Sequence, residues 1–294
     1  MTLDQLRIFV AVAERQHVTR AAEALNLTQS AVSSAVTTLE GRHGVALFDR
    51  VGRNIVLNEA GATFLIEAKA ILARVEAAQD ALDDLGGLKR GRLSIHASQT
   101  IAGWWLPARL TRFHQAHPGI RIEVSIGNTR EVADAVLEGR AELGLVEGEL
   151  DEPALSRSVL DHDELVLVVA ADHPAAQDGA GPPDLKQMTW VLREPGSGTR
   201  SAFETALNQR GLAIDALDVA MTLPGNEAVA AAVEAGAGAT VVSRNVVAAR
   251  LRAGILAALP LTLPDRPFWL LRHKQRYRSK AGEVFLASLT APHR

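Results

Sequence analysis

The chain has 294 residues, 47% of them hydrophobic, enough to bury a substantial core and long for one domain, so two or three folding units are expected. Cysteine is absent, which excludes disulfide frameworks, thiolate catalysis and cysteine-bound zinc. The formal net charge of −3 excludes a nonspecific polybasic binder; residues 1–58 carry six Arg against five acids, so any nucleic-acid contact must come from local placement. No run approaches the roughly 18 to 20 apolar residues that span a bilayer, and the amino end is amphipathic, with Asp4 and Arg7, rather than a basic, hydrophobic leader. A soluble, cytoplasmic chain with no membrane partner is expected.

Leu3, Leu6, Phe9, Val10 and Ala13 mark a first helix. Its apolar side would cover two more. Val18, Ala21, Ala22 and Leu25 form one stripe at i, i+3, i+4, i+7, ended by Asn26, which tolerates the left-handed conformation. Thr28 then caps a further helix whose buried stripe is Ala31, Val32, Ala35, Val36 and Leu39, while Ser30, Ser33, Ser34 and Thr37 repeat the spacing on the other side. A face that only meets water is usually filled with Glu, Lys and Arg, because Ser and Thr compete with the backbone and weaken a helix. This uncharged hydroxyl face, opened by Gln29, has the chemistry to exchange hydrogen bonds with base edges in a major groove, Gln29 bidentately with adenine. The alternative is a solvated helical hairpin.

After the break at Gly41 and Gly44, the runs 45–48 and 55–57 read as two short strands around a glycine turn, a wing with Arg50 and Arg53 at or near its tip. Those guanidiniums would reach phosphates or the minor groove, or else pair with Asp49 at the surface. From Glu59 to Leu85, Phe64, Ala68, Ile71, Val75, Ala78, Leu82 and Leu85 alternate spacings of four and three, a heptad seam that pairs two chains or docks on its own. Gly86 and Gly87 would end it.

Beyond Arg92 strands alternate with helices: strands at 93–96, 120–126, 143–146, 164–170, 190–193, 220–223, 240–243 and 268–272, and helices at 102–116, 129–138, 199–210, 226–235, 245–253 and from Lys280. An α/β fold with mainly parallel sheets in two similar halves is indicated. Ligands of such folds bind at strand carboxyl ends. Ser98, Gln99 and Thr100 open a helix after the first strand, and Gly196, Ser197, Gly198 and Thr199 do so in the second half. Free N–H groups, helix dipoles and hydroxyls there suit a small anion. Asn128 is placed to add an amide or to make a turn, and Glu147 complicates the picture, because a carboxylate facing the cleft repels an anion or demands a proton or cation. A phosphate loop of the Walker type is excluded, as no Gly-Lys-Ser/Thr ending is present. His114 and His117 lack an evident acid or cysteine partner and read as a solvent-facing pair, and no metal site is expected.

The set Leu6, Phe9, Val12, Ala13 and Glu14; Thr19, Ala21, Ala22, Leu25, Thr28, Gln29, Ser30, Ala31, Val32 and Ser33; and Leu39, Glu40, Gly44, Val45, Leu47, Phe48, Arg50, Leu57, Glu59, Ala60 and Gly61 resembles the LysR-type transcriptional regulator family. Segments 120–126, 138–139, 143–146 and 236–238 resemble its effector-binding half. The resemblance implies a multidomain α/β protein: a winged helix-turn-helix (1–58), a dimerising linker helix (59–88), and two α/β subdomains of the periplasmic-binding-protein type (91–161 with 267–294, and 162–266), crossed at 161–174 and 266–274. It implies groove contacts from Gln29, Ser30, Ser33 and Ser34, and a wing contact from Arg53. The family often has Pro where this chain has Ser30, and a long polar or basic residue where it has Ser34. The string Arg193 to Arg200 resembles a branch tied to sulfur and carbon assimilation, whose effectors are often oxyanions or small phosphorylated or carboxylated metabolites.

The expected function is a sequence-specific regulator that binds double-stranded promoter DNA as a homodimer or homotetramer, controlled by a small, anionic effector, with no cofactor. RNA polymerase is a further candidate partner. The competing class is a solute-binding or enzymatic α/β protein whose amino-terminal helices only assist assembly; no nucleophile with a positioned base supports catalysis.

Overall fold

The computed structural model describes residues 1–51, 54–85, 91–148, 150–176 and 182–290. Two compact units are present, one built on Met1–Leu85 and the other on Gly86–Leu137 and Ala141–Arg294. Among the described residues no helix is long and apolar enough to cross a membrane.

The first unit starts with α1 (Leu3–Arg15), α2 (Val18–Leu25) and α3 (Gln29–His43), and local chemistry fixes each end. Thr2 and Gln5 form a reciprocal capping box on α1. His17 Nδ1 accepts from Arg20 N–H to start α2, which stops at Asn26 with φ 55°; Thr28 starts α3, which stops at Gly44 with φ 66°. The sequence expects one buried stripe on α1, but the helix is covered on two sides. Leu6, Phe9 and Ala13 pack with Leu39, Leu47 and Ala68, whereas Ile8, Ala11 and Val12 pack with Ala21, Ala22 and Val32. Leu3, expected inside, is 39% exposed.

Strands β1 (Phe48–Val51) and β2 (Asn54–Leu57) form the antiparallel wing, starting later than the expected Val45. The Glu40 carboxylate sets that start by accepting from the N–H groups of Leu47 and Phe48. Helix α4 (Glu59–Leu85) follows, its first turn held by Asn58, whose Oδ1 accepts from Gly61 N–H. Phe64 and Ala68 of the heptad stripe pack on α1 with Leu65 and Leu72, and the Phe64 ring lies 4.8 Å from that of Phe9. The first part of the stripe therefore serves the chain's own head, while Ile71 and Leu82 remain exposed.

The second unit holds β3 (Gly91–Ser98), α5 (Leu106–Ala116), β4 (Ile120–Gly127), α6 (Thr129–Glu138), β5 (Leu143–Val146), β6 (Leu155–Asp163), β7 (Leu165–Ala170), β8 (Thr189–Arg193), α7 (Gly198–Asn208), β9 (Asp218–Leu223), α8 (Asn226–Glu234), β10 (Thr240–Ser243), α9 (Arg244–Arg252), β11 (Leu256–Leu259), β12 (Arg266–His273) and α10 (Lys280–Thr290). A π-helical turn, Ile101–Trp105, leads into α5.

The first sheet has the order β4-β3-β5-β12-β6, parallel across β4, β3 and β5 and antiparallel at β12 and β6. Leu93, Ile95, Leu145, Phe268 and Phe285 fill one side, and Val132, Val136, Val146 and Leu271 the other. In the second half β7 is antiparallel to both β10 and β11, and β8 pairs parallel with β9. The wholly buried β7 alternates sides: Leu165, Leu167 and Val169 meet Trp190 and Phe203, and Val166 and Val168 meet Val229 and Val242. The expectation of mainly parallel sheets is thus corrected to mixed ones. The chain passes between the sheets twice, from β6 to β7 and from β11 to β12.

A Cβ at Gly61 would lie 2.1 Å from the Leu47 carbonyl oxygen and 2.7 Å from a Leu57 methyl. Gly61→Ala is therefore expected to destabilise the first unit by about 1–3 kcal/mol, the usual cost of overpacking, read by urea unfolding. A change below about 0.5 kcal/mol, the level of an ordinary surface substitution, would mean that wing and helix separate freely.

Candidate DNA-reading face and effector cleft

On α3, Val32 and Leu39 are buried and Ala35 and Val36 half-buried, while Gln29, Ser30, Ser33, Ser34 and Thr37 are all exposed. Ala31 is exposed too, correcting its expected place in the buried stripe. It sits in the first turn, where Thr28 Oγ1 accepts from its N–H at 3.2 Å. Thr28 Oγ1 also lies 3.1 Å from Ser30 Oγ, so Thr28 shapes the helix entry besides being exposed. The face is continuous and uncharged. Arg50 is exposed on β1 opposite Ile55. Arg53 lies outside the described residues.

In the second unit the carboxyl ends of the three parallel strands meet at one place. Ser98 ends β3, Gly127 ends β4 and Glu147 follows β5. With Gln99, Thr100, Asn128, Thr129, Arg193, Ser197, Gly198 and Thr199 they line a small cavity with about 10 Å³ of room, roughly one water molecule. Three helices begin at its wall: the π turn leading into α5, α6 and α7. Asn128 Oδ1 caps α6 by accepting from Glu131 N–H, and Ser197 Oγ caps α7 by accepting from Arg200 N–H.

The two halves are clasped at this cavity. Gln99 Oε1 accepts from Asn226 N–H and Thr100 Oγ1 from Asn226 Nδ2, both at 3.0 Å, while Asn226 Oδ1 accepts from Arg193 Nη1. Gln99 therefore serves as a cap for α8 reached across the cleft. Beside the clasp two backbones touch: a Cβ at Gly198 would come within 2.8 Å of Gly148 N. Gly196, with φ +87°, is exposed and stands against Asn128 outside the cavity wall.

Buried Arg193 is fully engaged, its Nε and Nη2 donating to the two Glu194 oxygens at 2.8 Å. Burial opposes ionisation of Glu194, but the hydrogen bonds and charge of Arg193 outweigh it and hold that carboxyl below the usual range. Behind α7, Arg266 donates to Thr199 Oγ1 at 2.8 Å and to Asp163, whose other oxygen accepts from Ser243 and Asn245.

Thr129, Gly127, Arg193 and Asn226 are missed by the sequence reading. Their signal was position alone, at a strand end or helix start after β4, β8 and β9. Trp104 is 48% exposed, whereas half-buried Trp105 donates to Asp161 at 2.6 Å. His114 is exposed and His117 half-buried; among the described residues no cluster of three or more His, Cys, Asp and Glu could hold a metal.

Residues 86–292 match the LysR substrate binding domain, and residues 3–62 match the bacterial regulatory helix-turn-helix protein, lysR family. The chain belongs to the LysR family of transcriptional regulators. Like its family, it is a DNA-binding transcriptional regulator with an effector-binding domain, not an enzyme. This LysR-type regulator is 38% identical over 292 residues to the uncharacterized HTH-type transcriptional regulator YeiE of Escherichia coli (strain K12), covering 97% of this chain and 96% of that one. It is 34% identical over 290 residues to a probable RuBisCO transcriptional regulator of Trichormus variabilis, covering 97% and 86%. Full-length CbnR, solved in complex with its target DNA, shares the fold at a TM-score of 0.72 with 22% identity, covering 98% of this chain and 99% of that one.

The Asp163 and Arg266 side chains are 0% and 2% exposed. Asp163→Ala is expected to cost about 3–5 kcal/mol in the second unit, because it strands a buried guanidinium. Urea unfolding measures this; a loss under about 1 kcal/mol, the scale of an exposed ion pair, would show that the charge reaches water.

Proposed function

We propose that the chain binds double-stranded promoter DNA through Gln29, Ser30, Ser33, Ser34 and Thr37 in the major groove and Arg50 and Arg53 on the backbone or minor groove. A small anion or organic acid held in the cleft controls that binding. The cleft separates subdomain I (91–161 and 267–294) from subdomain II (162–266), and ligand closes or reorients the two. Exposed Ile71 and Leu82 on α4 support pairing of two copies, which presents two recognition helices to half-sites one duplex turn apart. The protein acts in the cytoplasm as a dimer or tetramer, with RNA polymerase as a further partner.

The single observation that carries the effector reading is the cavity itself. It gathers three helix amino ends, each equivalent to roughly +0.5 charge, with a wall of hydroxyls and backbone. With about 10 Å³ of room, near the limit for one water molecule and far below the roughly 300–1,000 Å³ of pockets for drug-sized ligands, the cleft takes only a small effector, and the two halves part to admit it.

Binding to the DNA upstream of its own gene, against scrambled DNA over a salt series, tests the reading. Gln29→Ala and Ser33→Ala should each weaken specific binding by about 1–3 kcal/mol and leave scrambled binding unchanged, as base-edge contacts do. Equal losses on both DNAs would refute base reading by this face. Thr100→Ala, which removes one clasp bond, should keep operator binding and alter the response to small anions; a folded variant that no longer binds operator contradicts the division of labour.

A further inference from the structure

Among the described residues Ser98 Oγ, Thr129 Oγ1 and Glu147 Oε1 have no hydrogen-bond partner, and they belong to cavity residues that are 4%, 6% and 5% exposed. Three buried polar oxygens left unsatisfied on one small wall call for a hydrogen-bonding partner. The hydroxyls can turn to donate or accept, but an ionised carboxylate only accepts. It also opposes an anion by charge.

Among the described residues no ion pair or hydrogen bond joins Glu147 to a cation. The Arg193 guanidinium is divided between Glu194 and Asn226, and both terminal nitrogens of Arg266 go to Thr199 and Asp163. What draws an anion in is therefore the helix ends at Gln99, Thr129 and Gly198, together with the hydroxyls. A ligand that satisfies both parts presents acceptor oxygens to the helix ends and one O–H to Glu147. Among the described residues the wall holds no apolar side chain, so it offers nothing to a hydrocarbon tail.

We propose that the effector is a small oxyanion that retains a proton at neutral pH and donates it in a hydrogen bond to Glu147, so that the cleft rejects proton-free oxyanions of the same shape and charge. The proposal rests on the reading of the cleft as the effector site. A buried polar group built to meet a ligand O–H is left facing an acceptor when that O–H is missing, which is a far stronger penalty than a misfit in size.

Calorimetric titration of the full chain at pH 7.4 tests this with pairs matched in geometry: phosphate against sulfate, hydrogencarbonate against nitrate, and hydrogensulfite against chlorate. In at least one pair the proton-bearing member should bind about 100-fold or more tightly than its partner, the scale of discrimination from an unpaired buried acceptor. Glu147→Gln supplies an N–H donor in the same space and should narrow that ratio to about 5-fold or less, chiefly by admitting the proton-free anion.

Equal binding within every pair, no binding by any proton-bearing anion, or a ratio unchanged in Glu147→Gln overturns the proposal, and the first two outcomes need no variant to fold. Binding of glycine or alanine but of no oxyanion also overturns it, by assigning Glu147 to an ammonium group. Ser98→Ala separates the two readings. If the selected anion binds that variant as before, the anion lies elsewhere and the effector-cleft reading falls; if affinity drops while wild-type selectivity is absent, only the proton requirement falls.

Discussion

The second unit is organised around the ion pair of Asp163 and Arg266. These residues end β6 and begin β12, and they face each other in register where the chain leaves the first sheet and where it returns. Two charges removed from water are costly unless their remaining lone pairs and protons are also met. Here most are. Asp163 accepts from Ser243 and Asn245 at the start of α9, and Arg266 donates to Thr199 in the first turn of α7. Both crossings and the helix that opens onto the cleft thus share one buried network. Under the proposed function, a ligand that draws on α7 would act on the segment the crossings hold.

The cleft is held by weaker, replaceable contacts. The Asn226 clasp joins the halves through neutral hydrogen bonds, which contribute about 1 kcal/mol each, and the Gly148–Gly198 approach is bare backbone. Strong fixation at the crossings and light fixation at the mouth is the arrangement a two-state element needs. The reading head follows the opposite logic. Its helices are capped at both ends and packed on two faces of α1, leaving an uncharged exposed face on α3.

The head was largely legible from the sequence because its determinants are local. Thr28, Asn26 and Gly44 mark helix ends by side-chain capping and left-handed backbone, and the α3 hydroxyls stand out against helix propensity. What was missed is non-local. Strand β6 buries only Leu155 and Asp163 and otherwise reads as a polar loop, and its antiparallel place beside β12 follows from pairing over a hundred residues away. Ala31 fits the period of the buried stripe, yet it is exposed while the next residue, Val32, is buried. At the cleft, Ser98, Ser197 and Thr199 could be named from their place before or within helix starts. Thr129, Arg193 and Asn226 could not, because their roles depend on which helix starts the two sheets bring together.

Linkage between cleft and head decides the account. The most direct measurement is a thermodynamic box on the full chain: the operator dissociation constant with and without the small anion that binds the cleft most tightly, and the dissociation constant of that anion with and without operator. Coupling between two sites is reciprocal. Two equal ratios are expected, both different from one and both lost in Thr100→Ala. Ratios of one on both sides, with anion and operator each bound tightly, would separate the cleft from the head and contradict it.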